Sequence, residues 1–264
     1  MIPLDADALN AACRESGLPW RVLVADELPS TSDALREAAA RGEAAGLVVF
    51  AEAQTAGRGR RDNRWVTPKG MDLMFSLLLR PPAPLMLWPR LTTLAALAVC
   101  RAVEDELPLA PQIKWPNDIY LRERKAGGLL AETVTTPQGM ALVLGIGLNV
   151  NVREFPLELA AGATSLQAEL RSVVVPELDR VRLAWLLLRE LAVQFGRLEM
   201  DYSAAVAEVR ARSWLLGKQI RATVEGRELY GRAMDLDAEG HLMLALPDGT
   251  ITTLTSAEGV RQVV

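Results

Sequence analysis

Two stretches of this 264-residue chain combine residue types that could do chemistry. The first, AGRGRRDNRW (56–65), sets Arg58, Arg60, Arg61 and Arg64 around Gly57 and Gly59. Guanidinium forks match phosphate or carboxylate oxygens two at a time, and glycine lets a backbone come close to a ligand. The loop follows the apolar run LVVF (47–50), as anion-binding loops often follow a strand, so a phosphate cradle is one reading of a string that by itself decides nothing. Two other readings stay open on this string alone. A solvated loop whose arginines serve solubility fits, because short basic runs recur by chance. A nucleic-acid patch fits less well, with Trp65 the only aromatic nearby and a net charge of −4 over the chain.

The second stretch is KWPNDIYLRERKAGGLLAE (114–132). Its Pro-Asn-Asp turn offers the amide of Asn117 and the carboxylate of Asp118 to a ribose, a water or a Mg²⁺ ion, which prefers oxygen ligands. Lys125 comes seven residues after Asp118, so across a hairpin an ammonium and an acid converge on one triphosphate. The chain has four lysines (69, 114, 125 and 218) against 25 arginines, and two of the four lie in this stretch. Taken singly, the turn is an ordinary turn and Lys125 an exposed charge at a strand end. Taken together they point to a nucleotide. Ser30, Thr31 and Ser32 either cap a helix or present hydroxyls to a polar ligand group at its N-terminus. Gly145 and Gly147 of GIGLNVN lie in a strand, where glycine marks a close approach or a bulge.

Other chemistries have little to work with. There is one histidine, His241, so a Ser-His-Asp or Cys-His centre has almost no base to use. Cys13 and Cys100 are far apart, form no CxxC and suit a reducing cytoplasm. No stretch of eighteen apolar residues is free of charge, and the acidic MIPLDADALN start is unlike a signal peptide, so a soluble, cytoplasmic protein away from the membrane is expected.

The elements that must position these residues follow from hydrophobic period. Helices are expected at 5–17, 30–42, 91–107, 178–200 and 203–214. Strands are expected at 21–28, 47–50, 72–80, on either side of the Pro-Asn-Asp turn within 112–121, and at 128–134 and 141–150. After Gly217 the pattern changes to short strands at 218–224, 227–237, 241–247 and 250–256, split by EG, AEG and DG turns. That is the pattern of a small β-barrel or half-barrel following one large unit.

The segments AEAQTAGRGRRDNRW, KWPNDIYL, RKAGGLLAE and GIGLNVN, in this order and spacing, resemble the catalytic core of bacterial biotin protein ligases over about residues 28–152. The β-rich tail is similar in size and position to that family's SH3-like C-terminal domain. The resemblance implies an α+β fold: a class II aminoacyl-tRNA synthetase-like catalytic domain with a mixed, largely antiparallel sheet over 1–214, and an SH3-like β-barrel over 215–264. It implies ATP-dependent activation of biotin as biotinyl-5'-AMP, then transfer to a lysine of a biotin carboxyl carrier protein. Lys125, Arg58, Arg60 and Asp118 would be catalytic, with Asp118 toward Mg²⁺. Ser30, Thr31, Ser32, Gln54, Gly57, Arg58, Gly59, Arg60, Trp65, Asn117, Lys125, Gly128 and Asn149 would bind biotin or ATP.

Two departures stand out: Ser32 replaces a common asparagine, and Asp62 replaces a common glycine in the loop. Only 29 residues precede Ser30, too few for the winged-helix module of repressor-type members, so an enzyme that does not bind DNA is expected, as monomer or homodimer. The loop is expected to be mobile when empty and to order on ligand. The rivals are a lipoate or octanoate ligase or transferase on the same scaffold, and a biotin-sensing protein without turnover.

Overall fold

Seven strands align so that one face of a sheet is buried along its length and the other is covered at one end only. The computed structural model describes residues 2–59, 64–170 and 176–263. Strands β1 (Arg21–Ala25), β2 (Leu47–Ala51), β3 (Leu73–Leu79), β4 (Gln112–Lys114), β5 (Asp118–Leu121), β6 (Arg124–Thr136) and β7 (Gly139–Leu148) pair in the order β1-β2-β3-β7-β6-β5-β4. β1 and β2 run parallel and the other pairs antiparallel, which makes the sheet mixed.

The helices are α1 (Ala6–Glu15), α2 (Thr31–Ala40), α3 (Arg90–Glu106), the short α4 (Leu157–Ala160) and α5 (Leu166–Glu169), α6 (Arg180–Phe195) and α7 (Tyr202–Ala211). Alternate side chains of a strand point to opposite faces. Phe75, Leu77, Leu129, Leu144 and Ile146 join one core with Leu91, Leu94 and Leu97 of α3. Each such leucine removed from water contributes roughly 1.5–3 kcal/mol. The span Leu85–Glu106 is apolar and long enough by composition to cross a membrane. Here it is a core helix, with the sheet on one side and α6 on the other.

On the opposite face Leu35, Ala38 and Ala39 of α2 pack on Leu47, Val49, Leu78 and Val143. Ser30 stands at the α2 N-cap in an extended conformation, its Oγ accepting from Asp33 N at 3.4 Å, and Gly42 at φ +89° follows its last turn. At 1.5 Å per residue a 10-residue helix spans about 15 Å. Beyond its N-terminus the sheet face is open.

Two differences from the sequence expectation concern strands. β6 begins at Arg124 rather than at Gly128, because Gly127 and Gly128 pair on both sides, with Ile119 and Asp118 of β5 and with Leu148 and Gly147 of β7. Pairing on two flanks offsets the weak strand preference of glycine. Lys125 therefore pairs with Tyr120 inside the sheet and is not a loose strand end. The second difference is at the C-terminus. Strands β8 (Gln219–Val224), β9 (Arg227–Leu236), β10 (Leu242–Ala245) and β11 (Ile251–Leu254) are joined by an unexpected β12 (Glu258–Gln262), giving the antiparallel order β11-β10-β9-β8-β12.

Glu225 at φ 49° and Gly226 at φ 79° turn β8 into β9, the two positive angles of a type I′ hairpin. This sheet is fastened to the first unit. Trp115 Nε1 donates to Gly240 O at 3.1 Å, Tyr202 Oη donates to Glu239 O at 3.0 Å, and the Arg90 fork grips the Glu239 carboxylate.

Candidate active site

Strand register brings the motif residues onto the open face. Met74, Gly147, Gly128, Asp118 and Lys114 are Cα partners in one row across five strands. Ser76, Gly145 and Leu130 form the next. The glycines hollow out the middle. A Cβ on Gly145 would meet Ser32 Oγ at 2.9 Å, and one on Gly147 would meet the Trp65 ring at 2.7 Å. These strand glycines mark close approaches rather than a bulge, since β6 and β7 pair without a break from Gly127 to Thr136.

The floor of the hollow is a cluster of hydroxyls. Ser76, fully buried on β3, bonds Thr31 Oγ1 at 2.8 Å and Ser32 Oγ at 3.0 Å. Gln54 Oε1 accepts from Thr31 N at 2.8 Å, while Gln54 Nε2 reaches Met74 Sδ at 3.3 Å. Hydroxyls both donate and accept, so this floor can satisfy a compact polar head such as a urea or amide. Ser32 keeps a hydrogen bond in the place of the asparagine usual in the family it resembles. Ser76 was not picked out from sequence, yet it is the one polar residue in LMFSLLL, which is the signal that would have found it.

Gly57, Arg58, Gly59 and Trp65 lie over one side. Trp65 N donates to Gly57 O at 3.0 Å, and a Cβ on Gly57 would stand 2.5 Å from Trp65 O, so the turn back requires glycine. The Trp65 ring covers Gly147, with Lys125 Nζ 5.8 Å from its centroid. Arg58 does not point into bulk solvent. Its Nη1 donates to Asp33 Oδ1 at 2.8 Å and its Nη2 to Glu132 Oε1 at 2.9 Å, and Arg36 pairs with the same two carboxylates. Such half-exposed pairs add at most about 1 kcal/mol each, so their effect is to hold Arg58 in place. Arg60 and Asp62 lie outside the described residues.

From the other side, Lys125 Nζ sits 2.6 Å from Asp118 Oδ1. Asn117 Nδ2 donates to Leu129 O at 2.6 Å, and Lys114 Nζ donates to Tyr120 Oη at 2.9 Å. Burial lowers the Lys114 pKa, against the opposing pull of Asp118. The Lys125 backbone is held by Gly162 O and Thr164 N at 2.8 and 2.9 Å.

Ser30, Thr31, Ser32, Gln54, Arg58, Gly59, Trp65, Asn117, Lys125 and Gly128 thus line one pocket, together with Ser76 and Leu130. Gly57 lies under its cover and Asp118 behind Lys125. Asn149 is outside the lining: its amide donates to Thr164 O at 2.9 Å, which ties down the segment that supports Lys125. The two cysteines are buried and free, with burial pushing both thiols up, so neither offers a nucleophile.

The geometry can be set beside known proteins. Residues 24–151 match the biotin/lipoate A/B protein ligase family, and residues 215–258 match the biotin protein ligase C terminal domain. The chain is 35% identical over 256 residues to a biotin--[acetyl-CoA-carboxylase] ligase of Mycobacterium tuberculosis, covering 94% of this chain and 92% of that one. It is 34% identical to the bifunctional ligase/repressor BirA of Bacillus subtilis, covering 85% of this chain and 69% of that one. The biotin protein ligase from Aquifex aeolicus in complex with biotin and ATP superposes with a TM-score of 0.80 at 27% identity, over 92% of this chain and 99% of that one. The mixed sheet with a small antiparallel C-terminal β unit is the fold expected from the sequence.

Proposed function

We propose, for a chain that belongs to the biotin/lipoate A/B protein ligase family, that it activates biotin with ATP as biotinyl-5'-AMP and passes the biotinyl group to a lysine of a biotin carboxyl carrier protein. One observation carries this reading. A buried hydroxyl floor and two cations from distant segments, Arg58 and Lys125, share a single pocket. We divide the chain into this biotin and ATP unit over 1–214 and an SH3-like unit over 215–264. The buried thiols suit the cytoplasm.

The first step joins two anions. A carboxylate oxygen of biotin attacks the α-phosphorus of ATP, and the bond to the pyrophosphate oxygen breaks. Unit charges at about 4 Å repel by about 4 kcal/mol at an effective dielectric near 20. Arg58, Arg60 and Lys125 offset that repulsion and meet the charge developing on the phosphoryl oxygens. No protein nucleophile is needed, which suits a chain with a single histidine.

A Mg²⁺ ion would bring further charge neutralisation to the triphosphate when bound. Asp118 offers it one carboxylate, with Oδ1 already engaged by Lys125, and the described residues hold no group of three or more His, Cys, Asp or Glu placed to bind a metal. That donor set fits an ion that keeps most of its waters and arrives on phosphates.

In the second step the carrier lysine loses a proton, its nitrogen attacks the acyl carbon, and AMP leaves with the bonding electrons. Asp118 is the acceptor we assign to that proton. The indole of Trp65 over Gly147 keeps water from the anhydride between the steps. Incubation with ATP and either biotin or lipoate, followed by intact mass of an added carrier domain, tests the reading. Biotin-dependent pyrophosphate release and a biotinylated carrier are expected. Release with lipoate alone would transfer the reading to the lipoate ligases, and biotin binding without release would make the protein a sensor.

A further inference from the structure

Behind the pocket stands a carboxylate that neither step uses. Asp72 is 1% exposed. Its Oδ1 accepts from Val150 N at 2.7 Å, and its Oδ2 accepts from Thr67 Oγ1. Its carbonyl accepts from Arg180 Nη1 at 3.2 Å. Arg180 also grips Glu52, Nη1 to Oε2 at 2.7 Å and Nη2 to Oε1 at 3.2 Å. Gly70 N to Glu52 O, 2.8 Å, closes the base of the intervening segment. The segment that carries Gln54, Arg58 and Trp65 is thus anchored at both ends by buried charge.

The placement of Thr67 and Val150 gives this anchor a direction. Thr67 follows Trp65 by two residues, and Val150 follows Gly147 by three. One carboxylate therefore joins the two strips of chain whose side chain and backbone meet over the pocket. We propose that Asp72 is a positioning residue, which sets the Trp65 indole over Gly147 by tying Thr67 to the backbone of Val150. A carboxylate is kept in a dry interior only where donors converge on it, and here the donors come from the cover and from the strand it covers. Core filling alone would be met at lower cost by an apolar side chain. Loosening this tie weakens the hold on ligand and opens the segment near Arg64, while a bound ligand still reacts at its normal rate. The ligand part of this claim rests on the biotin reading above.

The test uses the full chain with Thr67→Val, which removes one O–H and keeps the shape, beside Asp72→Ala and Asp72→Asn. Asparagine keeps an acceptor for Val150 and an amide for Thr67. Tryptic cleavage at Arg64 without ligand, KM and kcat for biotin-dependent pyrophosphate release, and the melting temperature are measured on each. One lost hydrogen bond predicts about fivefold faster cleavage and about fivefold higher KM for biotin in Thr67→Val, with kcat unchanged and the melting temperature lowered by only about 2–4 °C. Asp72→Asn is expected to return both toward wild type, and Asp72→Ala to exceed Thr67→Val in both. Wild-type cleavage or wild-type KM in Thr67→Val overturns the proposal, as do changes that follow melting temperature across the set. Failure of the unaltered protein to release pyrophosphate with biotin removes the biotin reading instead, and the cleavage arm then decides the role of Asp72 by itself.

Discussion

The Trp65 indole occupies the space that a side chain on Gly147 would need, with three ring carbons 2.7, 2.9 and 3.0 Å from an ideal Cβ there. β7 is held by β3 on one side and β6 on the other, so the ring, not the strand, has to yield. Gly147→Ala is expected to weaken biotin binding about tenfold, or ~1.4 kcal/mol, by titration calorimetry, with a much smaller change in melting temperature. Unaltered affinity would show that the indole position does not matter for the ligand.

Lys125 and Asp118 meet at 2.6 Å on adjacent strands. The pair is partly exposed, so its loss costs at most about 1 kcal/mol of stability. Lys125→Ala is therefore expected to fold normally and to lose adenylation by roughly 10²–10³ in kcat, the usual scale for a group that meets developing charge. Pyrophosphate release at the wild-type rate would remove Lys125 from the mechanism.

Burial pushes the Asp72 carboxyl up from 3.8 to about 6, against the lowering effect of its hydrogen bonds and of Arg180. A carboxyl whose folded pKa is raised binds its proton more tightly when folded. Its contribution to stability is therefore greatest below about pH 4, falls through the window from about 4 to 6, and stays low above it. The difference approaches ~3 kcal/mol. Asp72→Asn does not titrate, so its urea-unfolding free energy should gain on the wild type as pH rises from 4 to 7.5. A gap that is the same at every pH would refute the raised pKa of the Asp72 carboxyl.

Arg180 and Glu52 form an ion pair with side chains 2% and 8% exposed. Arg180→Leu leaves the Glu52 charge buried without its partner, which typically costs about 3–5 kcal/mol. Calorimetry should show a large drop in melting temperature, recovered in part by adding Glu52→Gln. Near-wild-type melting of Arg180→Leu would mean that water reaches Glu52.

Much of the site was legible because its signals are local. Arginine and glycine in one loop, a Pro-Asn-Asp turn and glycines inside a strand each declare themselves within a few residues, and the segments holding Arg58, Lys125 and Gly147 meet at one pocket. The partners of those residues were not legible. Asp33 reads as a helix-cap neighbour and Glu132 as a strand charge, yet both hold Arg58. Asp72 and Ser76 sit in an apolar run, and nothing in their sequence neighbours names Val150 or Thr31 as partners.

The sequence by itself determined the kinds of element, the large unit followed by small strands, and the residue types available for handling anions, because side-chain period and turn chemistry act over a few positions. Only the tertiary structure decided the start of β6, the fifth strand of the small sheet, the hydroxyl floor and the buried anchor at Asp72. Each of these depends on strand register or on pairing between segments tens of residues apart, and register is settled by which faces find cover when the sheet assembles.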